Sequence, residues 1–370
     1  MNELENVRGQ IEEIDQKIAE LFEKRMEFSK DVAAYKKERG LSVKDISREN
    51  ALLDKNRSYI KNPETEEYYV QLQKKIMGLS CDYQERLISG LRVAYCGVPG
   101  AFAHIAAQSM YPSSNLMPYK TFEDAYRAVE NGECDCCVLP LENSYAGEVD
   151  TVADLLFTGS LFVNQVINLP IEHCLVAKPS SSIEMIKKVI SHAQALKQCG
   201  DYINSAGFES DEVSNTAVAA NLVKNSDDDA LAAISSFEAA EIYGLKVLDR
   251  HINDSRNNST RFASFSRVQN RPQKEKLREN ENFILVFTVQ NRAGALAQTL
   301  NIIGAHGYNM KSLRSRPMKG LEWQYFFYIE AEGNINNENG RTLLSELSAI
   351  CARLKLAGTY YTKSREDIKL

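Results

Sequence analysis

The chain lacks the features that would place it in several large classes. No run is long and apolar enough to cross a bilayer, and the first residues form an acidic amphipathic segment in place of a signal peptide. There is no G-x-x-x-x-G-K-[ST] sequence. The glycines of Gly97-Val98-Pro99-Gly100 do not extend to G-x-G-x-x-G either, because Phe102 stands where a further glycine would be needed. The eight cysteines form no regular framework, and Cys134, Cys136 and Cys137 have no histidine close by, so they read as small core residues of a strand and no metal is called for. A formal charge of -6 and the lack of a basic recognition helix argue against nucleic acid. What remains is a protein of a reducing cytoplasm that binds small molecules. At 370 residues it is too long for one typical core.

The first ninety residues read as helices. Leu4, Val7, Ile11, Ile14, Ile18, Leu21, Phe28, Val32 and Tyr35 recur in steps of three and four, the seam of a helix roughly 50 Å long at ~1.5 Å per residue. Position 25 of that seam is arginine, and Arg8 and Lys36 share its broad face. Cations in an apolar stripe are costly unless an anion meets them, which points to an anionic ligand. Gly40 breaks the helix, Asp45 opens a second one carrying Arg48 and Glu49, and a third follows Pro63 with Tyr69, Leu72, Ile76 and Leu79 as its seam and Ser80 and Gln84 to one side. Three such helices make a poor globule alone and suggest a dimer.

The set Arg8, Arg25, Lys36, Asp45, Arg48, Glu49, Ser80 and Gln84 resembles that of the all-helical chorismate mutases, over residues 1–90. The resemblance implies an intertwined dimer in which Arg8 serves the partner's site and Arg8 and Arg25 hold two substrate carboxylates. By it, Lys36 and Gln84 bond the ether oxygen, Glu49 takes a substrate hydroxyl, and Asp45, Arg48 and Ser80 complete the shell. A pericyclic rearrangement of chorismate to prephenate needs only a compact conformer and cations where charge builds on oxygen.

From residue 91 short apolar runs alternate with helical stretches, an α/β pattern. Polar loops follow strand ends at Glu142-Asn143-Ser144, Ser191-His192 and Ser235-Ser236, where ligands of such sheets bind. Asn257-Asn258-Ser259-Thr260-Arg261-Phe262 then joins a hydroxyl, a guanidinium and a ring, most of what an acid-assisted elimination needs. The turn Gly97 to Phe102, Pro140 to Ser144, Ser191-His192 with Gln194, Gln198 and Cys199, Asn215-Thr216-Ala217 and Thr260-Arg261-Phe262 together resemble prephenate dehydratase. That family implies two lobes like a periplasmic binding protein, with substrate between them. Thr260 would be the essential hydroxyl, and Arg261 and loop amides would anchor carboxylates. Ala193 and Ala103 depart from the usual residues. The first turn is also similar to that of plant arogenate dehydratases, which leaves the choice between keto and amino substrate open.

After a charged linker, the order strand, helix, strand, strand, helix, strand is ferredoxin-like. Its strands include Phe283 to Val289 and Glu322 to Ile329, and its last helix Arg341 to Leu354. Gly294-Ala295-Leu296, Asn309 and Ser315-Arg316-Pro317 resemble a phenylalanine-binding ACT domain, though Arg314 stands where that family often has glutamate. The expected domains are thus residues 1–90, 91–268, a linker 269–281, and 282–370. The expected function is a bifunctional chorismate mutase and prephenate dehydratase, at least a homodimer, regulated by phenylalanine and without a cofactor. Its rival is an amino-acid sensor in which the helices only dimerise.

Overall fold

The computed structural model describes residues 3–255, 257–269, 281–318 and 324–361. The expected linker, save its ends, and Glu322 and Trp323 of the expected aromatic strand lie outside them. The chain falls into two compact units, Met1–Arg92 and Val93–Leu370.

The first unit is three helices, α1 (Glu3–Arg39), α2 (Ile46–Arg57) and α3 (Pro63–Ser89). Asp45 accepts from the Arg48 amide and Asn62 from the Glu64 amide, so a side-chain oxygen caps each of the two short-loop starts. Only Ser29 and Ala33 of α1 are buried, and its seam residues Leu4, Val7, Ile11, Ile14, Ile18, Leu21, Phe28 and Tyr35 are exposed. The expected seam of α3 is corrected. Leu72 and Leu79 face outward, and the buried positions are Val70, Met77, Ser80, Cys81 and Gln84, because α1 and α2 cover only one side of it.

The second unit starts with β1 (Arg92–Cys96), α4 (Phe102–Met110), β2 (Asn115–Tyr119), α5 (Phe122–Glu130), β3 (Cys136–Asn143), β4 (Gly147–Glu148), α6 (Asp150–Thr158) and β5 (Phe162–Pro170). The chain then crosses to a second lobe: β6 (Cys174–Ala177), β7 (Lys188–Ser191), α7 (Ala193–Gln198), α8 (Gly200–Ala206), β8 (Glu209–Glu212), α9 (Thr216–Asn225), β9 (Leu231–Ser235), α10 (Phe237–Tyr243) and β10 (Lys246–Asp249). It returns as β11 (Ser259–Ser266), which inserts antiparallel between β3 and β5. The second lobe has its own sheet, in the order β10-β6-β9-β7-β8. Cys136 and Cys137 lie buried on β3, as core residues of the first lobe.

The C-terminal domain is β12 (Glu281–Thr288), α11 (Ala295–Ala305), β13 (Asn309–Pro317), β14 (Tyr325–Glu332), α12 (Glu338–Ile350) and β15 (Arg353–Tyr361). Its order is ferredoxin-like. The last helix begins and ends earlier than the sequence pattern implies: Asn337 caps it through the Gly340 amide, and Leu354 belongs to β15. The domain has its own core around Phe283, Phe287, Ile303, Leu343 and Leu347. It is nevertheless not separate from the first lobe, because Gly358 of β15 pairs with Val163 of β5 and makes one mixed sheet, β13-β14-β12-β15-β5-β11-β3-β1-β2. Lys355 and Arg353 strengthen the junction by donating to the last carbonyls around α6, those of Leu156, Phe157 and Gly159.

A Cβ at Gly358 would overlap the carbonyl oxygen of Val163, so the seam needs a residue without a side chain. Gly358→Ala is expected to lower stability by about 1–3 kcal/mol, measured by denaturant unfolding. An unchanged midpoint would show that β15 and β5 do not meet in this way.

Candidate active site

In the helical unit, α1 faces α3 through cations. The Arg25 guanidinium donates to the Ser80 hydroxyl, which in turn donates to the Ile76 carbonyl at 2.9 Å. Lys36 reaches the Val43 carbonyl at the start of the α1–α2 turn. Glu49 of α2 accepts from the Cys81 thiol at 3.6 Å. Burial, then Glu49, push that thiol up, so it stays protonated. Burial draws the Arg25 pKa down. Gln84 is 7% exposed, and its Oε1 has no partner among the described residues. Arg25, Lys36 and Glu49 therefore gather around Cys81, with Arg25 on Ser80 and Gln84 one turn further along α3, while Arg48 is exposed and Asp45 is spent as a cap. Arg8 lies 17 residues from Arg25 on the same helix, about 25 Å away at 1.5 Å per residue.

In the second unit a cleft of about 760 Å³ opens between the lobes. Its first wall is the turn from Gly97 to Phe102. Gly100 (φ 86°) lies so close to Ala239 of α10 that a Cβ there would come within 2.9 Å of its backbone, and Ser236 donates to the Gly100 carbonyl at 3.0 Å. A strained, side-chain-free turn is thus what lets the lobes approach.

Thr260 and Phe262 of β11 line this cleft, and the register sets Thr260 opposite Asn143. Asn143 is buried and its amide has one orientation. The oxygen accepts from the Tyr145 and Ala146 backbone amides at 3.0 and 2.9 Å, so the nitrogen must face the hydroxyls and carbonyls. That nitrogen donates to Thr260 Oγ1 at 2.9 Å and to Asn258 Oδ1 at 2.9 Å. With its oxygen already accepting from an amide, the Thr260 hydroxyl can turn its own proton into the cleft. Gln194, from the opposite lobe, reaches Asn143 Oδ1 at 3.5 Å.

The other expected residues divide. His192, Gln194, Gln198, Asn215 and Thr216 line the cleft, with His192 and Asn215 also capping α7 and α9. Glu142, Ser144, Ser191 and Arg261 do not. Ser191 points into the second lobe and donates to the Ile234 carbonyl at 2.6 Å. Ser144 clamps the loop before β11, donating to the Asn257 carbonyl and accepting from the Ser259 amide. Arg261 and Glu142 sit one residue from Thr260 and Asn143, and strand alternation turns them to the opposite face. There Arg261 donates to both Glu330 oxygens, at 3.0 and 2.6 Å, and to the Tyr360 hydroxyl. Burial opposes its charge, but the Glu330 carboxylate more than compensates and the pKa rises. The expectation that Arg261 anchors substrate is therefore corrected.

Among the cleft residues that carried no motif signal, two are basic. Lys120 follows β2, and His173 lies on the crossing between the lobes, 1% exposed and edge-on to Phe102. Burial holds the His173 pKa down, so the ring is neutral; its Nε2 lies 3.0 Å from Gln198 Oε1, and its Nδ1 has no partner among the described residues. A histidine between strands looks like core in sequence.

In the C-terminal domain Gly294 (φ 79°) starts α11, and Asn309 donates to Glu332 at 2.9 Å. Ser315 and Pro317 are exposed on β13, an edge strand, whereas Arg316 turns inward to Asp150, Asp154 and Glu148. Arg314 does the same, at 2.7 Å from Glu142.

A family model described as Prephenate dehydratase matches residues 93–270, and one described as Chorismate mutase type II matches residues 7–85. A bifunctional chorismate mutase/prephenate dehydratase of Neisseria gonorrhoeae (strain ATCC 700825 / FA 1090) is 34% identical over 358 residues, 96% of this chain and 96% of the relative. Arogenate dehydratase/prephenate dehydratase 1, chloroplastic, of Arabidopsis thaliana is 32% identical over 286 residues, 74% of this chain and 72% of its own length. A solved prephenate dehydratase from Arthrobacter aurescens in complex with L-Phe gives a TM-score of 0.67 at 26% identity, covering 75% of this chain and 91% of that one. With both models matched and a relative aligned along nearly its whole length, the chain belongs to the family of bifunctional chorismate mutase/prephenate dehydratases.

Proposed function

We propose that the two reactions of this enzyme of phenylalanine biosynthesis divide between the sites described: chorismate rearranges to prephenate on the helical unit, and prephenate becomes phenylpyruvate in the Thr260 cleft. The observation that carries the second assignment is the fixed Asn143 amide, which makes Thr260 a hydrogen-bond donor toward the cleft. In the reaction the ring C–O bond breaks and the hydroxyl leaves as water, with one proton supplied. The C–C bond to the ring carboxylate breaks as well, its electron pair aromatises the ring, and carbon dioxide departs. Thr260 supplies or shares that proton, and the apolar walls of Phe102, Phe122 and Phe262 keep water from the developing charge.

The cleft lining favours the keto substrate. Its described residues include Lys120 and two histidines but no aspartate or glutamate. Prephenate brings two carboxylates. Arogenate also brings an ammonium, which would meet no counter-charge there.

In the helical unit the cations Arg25 and Lys36 beside the amide of Gln84 suit an ether oxygen gaining negative charge. Because Arg8 is about 25 Å from Arg25 along one rigid helix, it serves a site only in a second copy. The exposed seam of α1 supports such a homodimer. Phenylalanine is proposed as effector at Gly294-Ala295-Leu296, Asn309 and Ser315 to Pro317. The L-Phe complex of the Arthrobacter aurescens protein supports this.

Asn143→Asp replaces the donor by an acceptor and turns the Thr260 proton away from the cleft. Phenylpyruvate formation is expected to fall by about 10²-fold or more, with chorismate consumption unchanged, as followed by mass spectrometry; retention of full turnover would sink the orientation argument. Comparison of substrates is expected to give a kcat/KM at least about tenfold higher for prephenate than for arogenate. Equal values would mean that the missing carboxylate does not set the choice.

A further inference from the structure

We propose that Glu330, in the C-terminal domain, is a positioning residue for the dehydratase step: through Arg261 it holds the strand that carries Thr260, so the cleft is competent only while that domain is docked. The proposal rests on the assignment of Thr260 given above.

The two strands that make the reacting pair are each tied to the C-terminal domain at the residue next to it. On β11, Arg261 follows Thr260 and is gripped by both oxygens of Glu330, which is 2% exposed and also accepts from the Tyr328 hydroxyl at 3.4 Å. On β3, Glu142 precedes Asn143 and is held by Arg314 at 2.7 Å, with Arg261 itself 3.6 Å away. Arg314 is also 3.6 Å from Glu148 of β4. Glu330 and Arg314 come from the adjacent strands β14 and β13, and the two clamps form one alternating row of charges across the back of the cleft.

The backbone ladder is regular here on the β5 side of β11 and irregular on the β3 side. The register between β11 and β3 shifts between Arg261 and Phe262, so Leu141 of β3 is skipped directly after the pair Arg261–Glu142. A bulge bends its strand and weakens local pairing, and side-chain anchors then decide where the neighbouring residue points. Arg261 is such an anchor, and a bidentate carboxylate fixes both its position and its plane. Ser315, between the two inward-turned arginines of β13, faces out.

The experiment is steady-state kinetics of the full-length enzyme carrying Glu330→Gln, which keeps the shape and removes the charge. The prephenate kcat is expected to fall at least about tenfold while KM stays within about twofold, as for a displaced catalytic group. Mutase turnover on the same chain should be unchanged, and Glu330→Asp should recover part of the loss. A role in stability alone would lower the melting temperature and leave the kcat of the folded protein intact. A folded Glu330→Gln enzyme with wild-type kcat overturns the proposal. If Glu330→Gln does not fold, Arg314→Met, which releases only the β3 clamp, is judged by the same criterion. Thr260→Ala measured alongside separates the two ideas. If it is inactive and Glu330→Gln fully active, only the clamp fails, whereas an active Thr260→Ala removes the reading of the cleft and the clamp with it.

Discussion

The dehydratase chemistry proposed for this enzyme depends on one hydrogen bond, from the Asn143 amide to the Thr260 hydroxyl. A threonine hydroxyl is a weak acid and can contribute only if its proton is aimed and kept from bulk water. The chain achieves this with backbone. Two loop amides fix the Asn143 oxygen, the antiparallel register brings Thr260 opposite, and the amide nitrogen then leaves the hydroxyl proton one direction to go.

The surrounding architecture serves that geometry. A single strand, β11, returns from the second lobe to lie in the middle of the first, so the same segment that closes the two-lobed fold delivers Thr260 to the cleft. Gly100 lets the lobes approach, and Gln194 reaches across from the second lobe to the Asn143 oxygen. On the reverse face the sheet continues into the C-terminal domain through Gly358, and its arginines and glutamates sit directly behind the reacting pair. The first lobe and the C-terminal domain share one sheet. The mutase site proposed here works on another principle, cations preset around a reacting conformer, and α1 leaves both Arg8 and an apolar seam exposed.

Much of this was legible in the sequence. The three helices of the first ninety residues, the α/β alternation and the ferredoxin-like order all emerge as expected, although the apolar seams of α1 and α3 are largely exposed. Asn143 was reached because loops after strands are where such sheets bind ligands, Thr260 through its triplet of hydroxyl, guanidinium and ring, and Gln194 and Asn215 through the resemblance to prephenate dehydratase; all four line the cleft. What failed was facing. Arg261 and Glu142 are neighbours of the reacting pair in sequence but lie on the other side of their strands, and only knowledge of what packs behind the sheet reveals Glu330 as their partner. Ser191 failed in the same way, its hydroxyl turned to the Ile234 carbonyl. Lys120 and His173 were missed for the opposite reason: nothing in their local sequence marks them, and the cleft is assembled from segments far apart in the chain. Arg314, which stands where an ACT domain often has glutamate, has its guanidinium engaged by Glu142 and Glu148.

The most direct test of the account is the rate of carbon dioxide release from prephenate by Thr260→Val, which keeps the shape and loses the hydroxyl, beside Thr260→Ser, which keeps the hydroxyl. The account predicts a fall of at least about 10²-fold for valine, with serine retaining a substantial part of the rate. Decarboxylation by the valine enzyme at the wild-type rate would contradict it, because the proton for the leaving hydroxyl would then have to come from elsewhere in the cleft.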